Sequence, residues 1–199
     1  MFRRNPLTEM KCSIPKSKWE GQDKGIATLE LALILPILMI LTFGVIDLGG
    51  LIHARLVVTN VSREGGSLAS RDLKVGTDLL TMLMASGTPL DLNTSGRIYI
   101  SKIKAGATAA HPNPVIEQVD RGSLAVYSAI RTGQPYLGLS ADLFNHLVFK
   151  PANQTSDISE VTVVEVFYIY RPITPLPNFI ENILLDNGEG KIIGSKAVF

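Results

Sequence analysis

The run Ile26–Ile46, IATLELALILPILMILTFGVI, holds 21 residues and one charge, Glu30. As a helix it would be about 30 Å long, the thickness of a bilayer's hydrocarbon core. A soluble helix buried on every side over that length is a poor alternative. A secretory signal peptide would have a shorter apolar region and a small-residue cleavage site. Here the run continues into LGGLIHARLVV with no A-x-A site directly after it. The sequence therefore predicts a transmembrane helix over 26–47.

The flanks give it a direction. Residues 1–25 carry Arg3, Arg4, Lys11, Lys16, Lys18 and Lys24 against Glu9, Glu20 and Asp23, and Asp47 follows the span. The positive-inside rule makes 1–25 a basic cytoplasmic leader and sends residues 48–199 out of the cytoplasm. From Leu51 onward acidic and basic residues balance. A neutral outer domain offers no electrostatic footprint for nucleic acid. The single cysteine, Cys12, excludes an intramolecular disulfide.

A carboxylate inside an apolar helix costs several kcal/mol unless it is paired or near the interface. Four residues into the span, Glu30 has two readings. It can sit at head-group depth, where the positive end of the helix dipole favours it. Or it belongs with Gly25: Gly25 ends the hydrophilic leader, and Glu30 is the fifth residue after it. That spacing resembles the processing site of type IV prepilins and pseudopilins. The resemblance implies cutting between Gly25 and Ile26 by a membrane aspartyl protease, the prepilin peptidase. The new ammonium at Ile26 would then be a partner for Glu30, the assembly carboxylate, on its own chain or a neighbour. Whether the leader is cleaved stays open.

The wider segment ATLELALILPILMILTFGVIDLGGLIHARLVVTNVSREGGSLASRD resembles the N-terminal region of TadE-like proteins of the tight-adherence (Tad, or Flp) pilus machinery. The likeness is carried by Glu30-Leu31-Ala32-Leu33, Leu35-Pro36, Gly44, Asp47-Leu48-Gly49 and Arg63-Glu64-Gly65. Val161-Thr162-Val163 and the stretch Tyr168–Pro175 look like the late strand and proline-rich turn of the same family. The resemblance implies a non-catalytic minor pilin or pseudopilin of the bacterial inner membrane. Its partners would be membrane lipid, other pilin-like subunits, the Tad inner-membrane platform and, if it is cleaved, the prepilin peptidase. The rival reading is an uncleaved single-pass scaffold that binds other envelope or secretion components.

Beyond the span, Leu51, Ala54, Val58, Val61, Gly65 and Leu68 recur in steps of three and four, which extends the helix to about residue 70. Pro36 should kink it within the membrane. Gly44, Gly49 and Gly50 weaken it near its exit and permit bending or close approach of another helix. Thr77–Ser86 reads as a short helix capped by Thr77 and ended by Gly87, with Met82 and Met84 filling the core. Arg97–Lys104 and Pro114–Val119 read as strands, and Ser123–Ile130 as strand or helix. Ala141–Phe149 suggests a short helix. Val161–Tyr170, β-branched and aromatic throughout, should be central in a sheet. A proline-rich connection over Arg171–Asn178 leads by a long loop to a final strand, Lys191–Phe199, paired antiparallel with Val161–Tyr170. The expected fold is α+β: a long N-terminal transmembrane helix continuing into a pilin-like domain with a small antiparallel sheet.

Nothing in the sequence points to catalysis. His53, His111 and His146 are far apart, and no G-x-S-x-G, P-loop or dinucleotide fingerprint is present. Asp142 and Glu165 read as surface or edge charges. No metal, cofactor or small-molecule substrate is expected. Tyr127, Tyr136, Tyr168 and Tyr170 are candidates for a binding face or for the core.

Overall fold

A computed structural model describes residues 22–71, 76–152, 155–174 and 190–199. Nearly all of the basic leader, residues 1–21, lies outside the described residues. So does the end of the predicted proline-rich connection, beyond Thr174. The chain divides into two compact units, Met1–Thr42 and Phe43–Phe199.

Helix α1 covers Gln22–Arg71, so it starts four residues before the predicted span and ends where its periodicity ends. In the first unit its side chains from Gly25 to Met39 are all exposed. A run of Leu, Ile and Met open on every side is a poor fit to water, and among the described residues one helix is long and apolar enough to cross a membrane. The helix runs through Pro36, whose missing amide leaves the Ala32 carbonyl without its usual donor. The Thr42 hydroxyl donates to the Leu38 carbonyl at 2.8 Å, so it needs no outside partner.

In the second unit α1 becomes one-sided. Ala54, Val58, Val61 and Gly65 are buried, as their spacing predicts. The stripe then steps four residues to Ala69, and Leu68 is exposed. This face packs on an antiparallel sheet of order β2-β1-β3-β4, with β1 Gly96–Lys104, β2 Val115–Gly122, β3 Glu160–Tyr170 and β4 Lys191–Val198. Strand β3 is interior: Ile100 faces Val164 on one side, and Val164 faces Ala197 on the other. Its two faces enter two cores. Val164 and Val166 join Val58, Val61 and Ile98, together with Leu80 and Leu83 of α2 (Thr77–Ser86). Val161 and Val163 join Ile103, Ile130, Leu139 and Leu147. Each such fully buried aliphatic side chain contributes about 1.5–3 kcal/mol, which is why β3 is apolar on both sides.

Several local expectations needed correction. Gly76, not Thr77, occupies the cap of α2, and no side chain caps it; Thr77 is already helical, and its carbonyl accepts from Thr81. Gly87 ends α2 in a right-handed conformation, and Pro89, lacking an amide, follows. Met84 is buried but Met82 is exposed, two positions further round the helix. Strand β2 runs on to Gly122 because its charges are cross-strand partners: Asp120 pairs with Arg97 at 2.6 Å, and Glu117 with Lys104 at 2.6 Å. Ser123–Ile130 is neither helix nor strand but an irregular segment crossing the sheet. A one-turn helix α3, Leu92–Ser95, was not foreseen. Asp91 caps it, accepting from the Asn93 and Thr94 amides, and the Thr94 hydroxyl first, with these amides after it, holds the Asp91 carboxyl below its usual range. Helix α4 covers Ala141–Leu147, with Ser140 as its cap.

Candidate functional site

The residues singled out in the span lie along the first turns of α1. Glu30 is exposed, and among the described residues no hydrogen bond or ion pair reaches it. Ile26 lies one turn before it, also exposed. Gly25 has open space around it. The Gly25–Ile26 bond falls within the first helical turn, where backbone amides lack intrahelical acceptors and the helix frays most readily.

A second constellation forms where α1 leaves the apolar run. Asp47 is 1 % exposed. Its Oδ1 accepts from the Ile173 amide at 2.9 Å and the Thr174 amide at 3.4 Å, and its Oδ2 accepts from the Thr174 hydroxyl. Its backbone carbonyl accepts from the Tyr170 hydroxyl at 2.9 Å. The tyrosine reaches that far because residue 50 is glycine: a methyl there would lie 2.7 Å from the phenol oxygen. Burial, followed by the Asp47 charge, raises the Tyr170 phenol above its usual range. A buried carboxylate met, among the described residues, by amides and a hydroxyl forms a clasp. It ties the helix exit to the turn after β3. Ile173, whose amide it holds, leaves its side chain 82 % exposed.

In the sequence Asp47 stands out as the charge that follows the span and as part of the Asp47-Leu48-Gly49 stretch, with no partner indicated. The signal was an acid directly after an apolar span, together with a Tyr-x-x-x-Thr stretch at a strand end. Nothing in the spacing says that the two meet.

Glu165, read as a surface or edge charge, is instead 2 % exposed on the sheet face opposite α1. Interior position on β3 leaves it no route to water. The Ser128 hydroxyl and the Ala129 amide donate to it. Gln118 joins through Nε2, donating to Ser101 at 2.7 Å and to Ser128 at 3.0 Å. Tyr99 donates to the Val126 carbonyl at 2.6 Å. These bonds pin the irregular segment after β2, and no histidine takes part. Among the described residues no three His, Cys, Asp or Glu side chains come together as a metal site. The tyrosines proposed as a face divide: Tyr127 and Tyr136 are exposed, Tyr168 is half-buried and Tyr170 is buried.

The family model described as TadE-like protein matches residues 25–67. Over those residues the N-terminal helix is similar to TadE-like proteins. The match covers about a fifth of the chain and contains Glu30, Asp47 and Gly50. The partners of the clasp, Tyr170 to Thr174, lie outside it. No curated protein and no solved structure matched the chain.

Proposed function

We propose that this protein is a non-catalytic, single-pass component of a Tad-type (Flp) pilus assembly system in the bacterial inner membrane. The leader faces the cytoplasm, and the α+β domain lies on the outer side. The reading is carried by one observation: the TadE-like segment contains an apolar span exposed along its length, whose single charge, Glu30, meets no partner among the described residues. A carboxylate at that depth requires a cation or the interface. Removal of the leader after Gly25 supplies the cation as an ammonium at Ile26. It is shared along the chain or with the next pilin-like helix, so the charge pair sets the register in which a subunit docks on its neighbours and on the membrane platform.

The test is piliation. Glu30→Ala is expected to leave the protein in the membrane and to reduce pili several-fold; unchanged piliation removes the assembly role. Gly25→Leu should keep the full-length mass in cells that contain the peptidase, whereas wild type should lose its leader. A second reading, the uncleaved scaffold, draws on the helical conformation of Gln22–Gly25, since a scissile bond must unwind to enter a protease. Intact-mass measurement on the native protein separates the two readings.

A further inference from the structure

A groove of about 430 Å³ runs between α1 and β4, an edge strand of the sheet. Leu48, Leu51 and Ile52 form its helical wall, and the strand wall is Ile192, Ile193 and Gly194. Arg55 and Lys191 also line it. Two of the apolar side chains, Leu48 and Ile52, are exposed, as is Ile192. Arg55 is exposed too, and among the described residues no carboxylate is paired with it. Neither the family match nor the clasp accounts for an apolar trough with a cation on its rim.

The groove's place along the chain identifies its occupant. Leu48 stands one residue past Asp47, where the apolar run ends, and at about 1.5 Å per residue Arg55 lies about 12 Å further along the helix. The bilayer's head-group layer begins there and is about 6 Å deep on each side. Helical side chains lean toward the helix N-terminus, which on this chain is the membrane side. A long arginine at that distance can set its guanidinium at phosphate depth while its stem covers apolar surface. Exposed Ile173, held beside Asp47 by its amide, adds a large apolar side chain at the same level.

We propose that this groove holds one phospholipid, its phosphate on Arg55 and its glycerol and first acyl carbons against Leu48, Ile52 and Ile192. The inference rests on α1 being a membrane span. The bound lipid fills the trough beside the clasp and fixes the domain's height above the bilayer.

The experiment uses the full chain, stripped of lipid in detergent and examined by native mass spectrometry with added phosphatidylglycerol or diacylglycerol of the same acyl length. Wild type is expected to retain one phosphatidylglycerol, with diacylglycerol, which lacks the phosphate, retained about tenfold more weakly, the scale of one charge-assisted hydrogen bond. Arg55→Gln should lower phosphatidylglycerol retention by about the same factor. Arg63→Gln, an exposed arginine two turns further along α1, should leave it unchanged. Inorganic phosphate in excess should not displace the lipid. Equal retention of both lipids, equal loss in both arginine variants, or displacement by phosphate would each overturn the proposal. Release of the native protein from membranes by alkaline carbonate would remove the span itself, and this inference with it. Failure of the lipid arm alone leaves the span standing.

Discussion

Asp47 shows how a single acidic side chain can be necessary without being reactive. Ionised, it is an acceptor only, and the Ile173 and Thr174 amides and the Thr174 hydroxyl all donate to it. Asp47→Ala takes the acceptor from those part-buried donors, a loss on the order of 1–2 kcal/mol. Amide exchange at Ile173 and Thr174 should accelerate accordingly. Asp47→Asn keeps one acceptor oxygen, and its amide can donate to the Thr174 hydroxyl, which then turns to accept. Less than half the loss is expected, and a loss as large as alanine's would show that the negative charge itself is required. Tyr170 gives a check by titration. Its folded pKa is raised, so its contribution to stability is complete below the unfolded phenol value and is lost as pH rises through the folded one. Tyr99 and Tyr168 are raised as well, by burial first. Tyr170→Phe should therefore remove one increment from the late part of the tyrosine absorbance titration; loss of an early increment instead would contradict its burial against Asp47.

At the level of elements, the two ends of α1 obey different solvents. The predicted stripe held through Gly65, because a helix that meets a sheet must present apolar groups every three or four residues. It failed at Leu68, where the contact passes to Ala69. Strands β3 and β4 and their antiparallel pairing were legible, since β-branched and aromatic runs of that length have few other uses. The far end of β2 was not, because Asp120 and Arg121 look like loop residues until the pairing of Asp120 with Arg97 is known. Burial of Glu165 and the Asp47 clasp were illegible for a related reason: each depends on segments more than thirty residues away. Glycines in α1 test the packing directly. A Cβ at Gly65 would lie 2.8 Å from a Leu83 methyl and 3.2 Å from one of Val164. The crowding opposes the helix-propensity gain of Gly→Ala, about 1 kcal/mol, with a cost of about 1–3 kcal/mol. Gly65→Ala should lower the unfolding midpoint of the solubilised protein. Gly49, with nothing near its Cβ position, should show only the gain. If Gly49→Ala raises stability but lowers piliation, that open face is where another helix docks.

For the whole molecule the question is which side of the membrane each part occupies, and charge argues for one answer. Six basic residues precede the span against three acidic ones, and the residues from Leu51 onward are neutral overall. Moving the leader outward would carry its basic cluster across the apolar core, whereas the neutral domain faces no such asymmetry. The chain supplies its own reporter, because its single cysteine, Cys12, lies in the leader. In spheroplasts a membrane-impermeant maleimide should leave the leader-retaining Gly25→Leu protein unlabelled until the membrane is opened. In a Cys12→Ser background, Met82→Cys replaces a side chain that is 64 % exposed on α2, so the fold should tolerate it, and this site should label before lysis. Labelling of Cys12 in intact spheroplasts would invert the topology. The cytoplasmic peptidase site proposed at Gly25 would then be on the wrong side, and Arg55 would face the inner leaflet. Labelling of both sites only after lysis would place the domain in the cytoplasm and would leave the charge asymmetry without consequence. Labelling of Met82→Cys before lysis and of Cys12 after it is the pattern that makes the helix exit at Asp47, with its clasp and its groove, the outer surface of the membrane.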